Sequence, residues 1–190
     1  KTITIATSTH DAHLSKQREN QNRKKTNRAY EKVPDYDMTI KSLKIQKKIM
    51  EQFLLDAQKE FGGNINFIIK PHPNETVIYW NDLIKKNNLV NCFLMIGNNI
   101  NELLSISDFH ISQGVCTTTA EAMLYGLETI ELVTSLSHNI YSENHLMLPD
   151  HQCYSSKEII DVIKKVMSKN MKNKPNKKIK DYSDKYFKKV

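Results

Sequence analysis

Short apolar runs alternate with longer amphipathic ones along most of this chain. Residues 2–6 (TITIA) read as a buried strand. Residues 7–37 have no hydrophobic period and are rich in Asn, Gln, Lys and Arg. They predict a long polar loop, a kind that is usually functional or mobile in a compact domain. Over 38–61, Leu43, Met50, Phe53, Leu54, Ala57 and Phe61 recur at helical spacing, and Gly62-Gly63 ends the pattern. Residues 65–70 (INFIIK) form the next strand, broken at Pro71. A helix over 77–87 is carried by Val77, Trp80, Leu83 and Ile84. Strands over 92–96, 109–112 and 129–133 are separated by helices over 100–106 and 117–125, the last closed by Gly126. Residues 134–154 read as an irregular loop. Ser155 and Glu158 have the spacing of a capping box for a helix over 157–167.

Strands and helices alternating at this spacing predict an α/β domain: a Rossmann-like parallel sheet of about five strands, order 3-2-1-4-5, with helices on both faces. The strands read as near-continuous apolar runs, as expected of a sheet covered on both sides. The domain occupies 1–167, and 168–190 form a basic C-terminal extension. Such sheets bind ligands outside the carboxyl ends of their strands. The segments to read for chemistry are therefore 8–13, 71–75, 97–99, 112–119 and 134–138.

Charge narrows the class. The net charge is +7. The extension from Ser168 to Val190 has nine Lys against two Asp, and Ser15 to Lys32 has seven Lys and Arg against two Glu. Those segments contribute +7 and +5, which leaves −5 for the rest. The folded body is acidic, so a sequence-specific nucleic-acid reader is not expected. Like-charge runs are solvated by default, although a basic tail also suits an anionic membrane surface. Cys92, Cys116 and Cys153 are too widely spaced for a disulfide framework or a zinc ribbon. A cytoplasmic protein, with peripheral contact at the inner face of the membrane through the tail, is the expected setting. The chain opens at Lys1 directly in a strand, which is expected of a fragment whose N-terminal partner domain is missing.

Two segments could carry chemistry. Lys70-Pro71-His72-Pro73-Asn74-Glu75 follows the second strand, and its prolines hold the backbone extended around His72. A histidine fixed there can donate to a phosphate or act as an acid or base. A Pro-rich turn with a solvent-facing His reads the same way. In 112–122 (SQGVCTTTAEA) a strand ends at Ser112, and small hydroxyl residues open a helix. The N-terminus of a helix attracts phosphate, and Thr hydroxyls add donors. Glu121, one turn in, can accept from ribose hydroxyls. The candidate binding residues are Ser112, Gln113, Gly114, Cys116, Thr117, Thr118, Thr119 and Glu121. A plain helix cap would use the same residue types. His110 reads as a packed core histidine, and Phe67 as core. The spacing of His138, His145 and His151 specifies nothing.

Taken together, these pieces resemble the C-terminal domain of GT-B-fold glycosyltransferases and the related UDP-N-acetylglucosamine 2-epimerases. They resemble more closely bacterial surface-polysaccharide proteins such as CDP-glycerol glycerophosphotransferases and capsular Kdo transferases. The matching stretches are IIKPHPNE (68–75), NNINELLSISD (98–108) and FHISQGVCTTTAEAMLYGLETIEL (109–132). Glu128 stands where the families usually have proline, and the turn is QGVCTTT where the epimerases have Ser-Gly-Gly. The resemblance implies one half of a GT-B fold. It implies that Cys116, Thr117 and Thr118 line a diphosphate site, that Glu121 meets the ribose and that His72 lies near the phosphates. It also implies that the loop after the first strand faces the interdomain cleft. There His10, His13, Lys16, Arg18 and Arg23 could neutralise a diphosphate leaving group. His10 and His72 are the catalytic candidates.

The leading expectation is a nucleotide-donor-binding domain of a glycosyltransferase-like enzyme of surface-carbohydrate synthesis. Its donor would be UDP-, CDP- or CMP-linked, with no other cofactor and no metal. A UDP-sugar 2-epimerase and a non-catalytic scaffold domain remain open, because fold does not dictate function.

Overall fold

A computed structural model describes residues 1–8, 36–73, 75–114, 116–137 and 149–168. The elements run β1 (Thr2–Ala6), α1 (Tyr36–Phe61), β2 (Asn66–Lys70), α2 (Val77–Lys86), β3 (Cys92–Leu94), α3 (Ile100–Ser105), β4 (Phe109–Gln113), α4 (Thr117–Leu124), β5 (Glu128–Leu132), β6 (His151–Cys153) and α5 (Ser156–Ser168). The strands form one parallel sheet in the order β3-β2-β1-β4-β5-β6. This is a Rossmann-like α/β fold, and the first five strands take the expected order.

The sixth strand corrects the sequence reading, which left 134–154 irregular. His151–Cys153 is short and polar at two of its three positions, so it has no apolar run to announce it. Its register comes from β5, with Ile130 opposite His151 and Leu132 opposite Cys153. Asp150 secures its start by accepting from the Thr129 backbone N–H and hydroxyl at 3.1 and 2.9 Å.

Local signals set the helix ends. Gly62 (φ 53°) and Gly126 (φ 72°) adopt the left-handed conformation that terminates α1 and α4. The capping box at α5 forms: the Glu158 backbone N–H donates to Ser155 Oγ at 3.3 Å, and Glu158 Oε2 accepts from the Tyr154 N–H at 2.8 Å.

The main core lies between one face of the sheet and α1, α2 and α5. Ile3, Ile5, Phe67, Ile69, Phe109, Ile111, Ile130 and Leu132 meet Met50, Phe53, Leu54, Trp80 and Ile159 there. Phe53 and Phe67 pack edge to face, with centroids 5.7 Å apart. Phe67 is thus core, as expected. The opposite face, under α3 and α4, has a small apolar cluster of Leu104, Ala122 and Leu127. Its strand residues are largely polar: Thr4, His110, Ser112, Thr129 and Glu131 are all buried. β1, β4 and β5 therefore alternate, whereas β2 keeps Phe67, Ile68 and Ile69 as a continuous buried apolar run. Those three strands are not the continuous apolar runs expected of a doubly covered sheet.

Candidate functional site at the strand carboxyl ends

The sheet order reverses between β1 and β4, the switch point where such folds open a crevice. Hydrogen bonds join the strand ends there. The Ser8 hydroxyl donates to the Gln113 carbonyl at 2.6 Å. On the other side of β1, the Thr7 N–H donates to Lys70 O and the His72 N–H to Thr7 O, each at 3.1 Å. The ends of β4, β1 and β2 thus form one continuous rim.

Glu75 holds the Pro-rich segment to that rim. Its carboxylate is buried and accepts from the Thr7 hydroxyl. It also accepts from the His72 N–H at 3.2 Å and from Trp80 Nε1–H at 2.9 Å. One side chain therefore ties β1, the segment around His72 and α2 together. Half-buried His72 is placed by this anchor and by buried Pro71. Sequence reasoning assigned Glu75 no role of its own, and a carboxylate five residues before a buried Trp was the available signal.

The turn from β4 into α4 contains the other candidates. Gly114 has φ 68°, a conformation that favours glycine. Cys116 takes the N-cap position in extended backbone without a side-chain cap. The Thr119 N–H closes onto Cys116 O at 3.1 Å. The N–H groups of Thr117 and Thr118, at the first helical positions, have no acceptor within the helix.

The three threonines have different surroundings. Thr117 is exposed. Thr118 is half-buried, and its hydroxyl lies 3.0 Å from His110 Nε2. Thr119 is buried, and its hydroxyl lies 2.6 Å from Ser112 Oγ and donates to Glu131 Oε2 at 3.0 Å. Ser112 donates to the same carboxylate oxygen. Gln113 points to the other face, where its amide donates to Gln46 O at 3.4 Å. Gln46 in turn donates to Leu132 O at 2.9 Å. Ser112, Gln113 and Thr119 thus support the turn from beneath. Gly114, Cys116, Thr117, Thr118 and Glu121 have solvent access. The Glu121 carboxylate has no hydrogen-bond or ion-pair partner among the described residues.

Beneath the turn, His110 is fully buried, and desolvation pushes its pKa down to about 3. It is a neutral core histidine, as the sequence implied, but one bonded to Thr118. Glu131 was missed. Its signal was an acidic residue between apolar neighbours within β5. Burial also raises the Cys92 and Cys153 thiols to about 12, which keeps them protonated.

His10 and His13, with Lys16, Arg18 and Arg23, lie outside the described residues, as do His138 and His145. Among the described residues no group of three or more His, Cys, Asp or Glu side chains is placed to hold a metal ion. No described helix is long and apolar enough to cross a membrane.

The fold and the rim define a Rossmann-like α/β domain whose strand order switches between β1 and β4. No family model matches the chain, and no curated protein matches it. Among solved structures it is similar to WaaG, described as a glycosyltransferase involved in lipopolysaccharide biosynthesis, with a TM-score of 0.46 and 16% identity over 84% of this chain. The match spans 44% of that chain, so this one corresponds to less than half of the neighbour's length.

Proposed function

We propose that this domain binds the nucleotide part of an activated donor at the turn from β4 into α4, as one half of a GT-B glycosyltransferase-like enzyme of surface-carbohydrate synthesis. The observation that carries this reading is the opening of α4. A left-handed Gly114 leads into a helix start whose Thr117, Thr118 and Glu121 have solvent access, while the residues beneath are fixed by internal hydrogen bonds. Helix N-terminal N–H groups and the helix dipole favour phosphate. Glu121, one turn on and without a side-chain partner among the described residues, suits ribose hydroxyls. His72, on the rim two strands away, suits the phosphates. The resemblance of 68–75 and 98–132 to surface-polysaccharide enzymes gives the donor class: UDP, CDP or CMP linked to a sugar or glycerol.

Calorimetric titration of the intact protein with UDP, CDP and CMP tests this. Binding of one of them is expected. Glu121→Ala and Thr118→Val should each weaken it by about 1–3 kcal/mol, the cost of leaving a buried hydrogen-bonding partner unmatched. CMP preference points to a Kdo-like donor, CDP to glycerol, and UDP to a hexose or the epimerase reaction. If the intact protein binds none at millimolar concentration, the reading is wrong and a scaffold domain takes its place.

A further inference from the structure

The sheet has two edges, and the sequence treats them differently. At the β6 edge, Asp150 precedes the strand, the His151 ring lies 2.7 Å from Glu128, and the Glu158 carboxylate accepts from the Tyr154 N–H. Charges of that kind keep an edge strand from pairing with another chain. The β3 edge has none of its own. From Asn87 to Asn101 there is no Asp, Glu, Lys, Arg or His, in a chain that is 26% charged. Three large apolar side chains open to solvent within the same stretch: Val90 (59% exposed), Phe93 (46%) and Ile96 (60%). Single exposed apolar residues are ordinary, but a cluster of them on an uncharged edge marks a contact surface.

The backbone of β3 adds hydrogen-bonding capacity to that surface. The Phe67 N–H donates to Asn91 O at 2.8 Å, and the Met95 N–H donates to Ile69 O at 2.9 Å. Alternate residues of a strand bond to one neighbour, so Asn91, Phe93 and Met95 face β2, and Cys92 and Leu94 face outward. The Cys92 N–H is taken by Leu89 O at 3.3 Å, and Ile96 O by Lys70 Nζ at 2.9 Å. Leu94 presents both its N–H and its C=O at the edge, with no partner among the described residues.

These features select the occupant. An antiparallel second copy centred on Leu94 exchanges two hydrogen bonds, each Leu94 N–H donating to the Leu94 C=O of the other copy. That register sets Phe93 across from Met95 of the second copy, on the sheet face that also carries Ile68 and Thr4. A surface of one sign would repel its own copy, and a charged partner would need charges to select it. The stretch has neither, so it is complementary to itself.

We propose that β3 is the contact between two copies of this chain, which pair antiparallel through Leu94 into one continuous sheet and cover Phe93 and Ile96. The pairing does not depend on the nucleotide reading.

Sedimentation equilibrium of the intact protein between about 1 and 100 μM tests it, and a monomer–dimer equilibrium within that range is expected. A monomer throughout overturns the proposal. Leu94→Pro removes the outward N–H and leaves the β2 pairing, which does not use it, in place. Phe93→Lys puts a charge at the centre of the contact. Each should raise the dimer dissociation constant roughly tenfold or more, with the circular dichroism of the wild type retained. If Leu94→Pro fails to fold, Ile96→Lys, at a largely exposed side chain, takes its place. Leu124→Lys changes an exposed apolar residue on α4 and should leave the dimer intact. A dimer that survives either β3 substitution, or one that Leu124→Lys dissolves, also overturns the proposal, because the contact then lies elsewhere. Hydrogen exchange identifies the competing occupant. Protection of the Leu94 N–H that rises with protein concentration is expected. Slow exchange of that N–H in a monomeric intact protein would mean that another segment of the same chain covers the edge, and the second copy would be excluded.

Discussion

Beneath α1, β1, β4 and β5 present Ile3, Ile5, Phe109, Ile111, Ile130 and Leu132. Beneath α3 and α4 the same strands present Thr4, His110, Ser112, Thr129 and Glu131, no less buried. The two faces are held by different physics. The first gains stability from apolar area and dense packing, which are non-directional and tolerate small shifts. The second relies on hydrogen bonds, which fix direction: Ser112 and Thr119 on Glu131, Thr118 against His110, and Thr4 near Ser107 at 2.5 Å. The candidate binding turn stands on the second face. A ligand site needs its donors aimed, and a polar layer under the first turn of α4 aims them better than leucine would.

The largest effect should come from the apolar face. Phe53 is fully buried against Phe67, so Phe53→Ala leaves a cavity in the main core. A loss of about 3–5 kcal/mol in unfolding free energy is expected, read from denaturant midpoints. A loss below about 1 kcal/mol would mean that this face is not where the stability lies, and the contrast would fail.

Much of this arrangement was legible beforehand, for identifiable reasons. The helical period of 38–61, the left-handed glycines and the capping box act locally, so the sequence shows them directly. The strand order followed from the alternation of strands and helices. The polar face was in view as well: TITIA, FHISQ and ETIEL each place polar residues at every second position, at least in part. It was read as continuous apolar sequence because the expectation for a doubly covered sheet outweighed the period. β6 was hidden because three residues paired at a sheet edge carry no pattern. For the site, the turn and its helix were visible, but the division of labour among three consecutive threonines was not. It depends on which residues of β4 and β5 lie beneath them, a tertiary fact with no local trace. Glu75 and Glu131 were missed for a related reason: an isolated acidic residue looks solvated until its donors, distant in sequence, are placed.

The next effect separates the faces by pH. His110 has an ordinary pKa of 6.5 when unfolded and about 3 when folded, because burial penalises its charged form. The folded value is depressed, so the unfolded chain binds the extra proton first. The stability associated with neutral His110 is complete above pH 6.5. It falls as pH drops below that value, and the loss ends near pH 3. The slope is about 1.4 kcal/mol per pH unit within the window, or about 2 kcal/mol between pH 7 and pH 5. His110→Phe should remove that slope, whereas Phe53→Ala should lower stability equally at both pH values. Denaturation of the three proteins at pH 7 and pH 5 measures the difference. A slope unchanged in His110→Phe would show that the ring is not held neutral.

The smallest effect tests whether the polar layer is uniform. Thr4→Val keeps the shape and removes the hydroxyl that lies 2.5 Å from Ser107 Oγ. Ser107 Oγ still donates to Leu103 O at 2.7 Å, so its proton keeps an acceptor after the change. The cost should then be that of one ordinary hydrogen bond, at most about 1 kcal/mol. Thr119→Val is the same chemical change on α4, yet it takes a donor from the buried Glu131 carboxylate. That carboxylate retains Ser112 from this pair, and the Ser112 hydroxyl loses its contact with Thr119. Hydrogen bonds to charged groups are the stronger ones, so a cost of about 1.5–3 kcal/mol is expected. Denaturant unfolding of the two variants side by side reads the order. Equal costs would mean that Glu131 adds nothing beyond an ordinary acceptor, and that the layer beneath α4 is a set of separate pairs with no charged centre to orient the candidate turn.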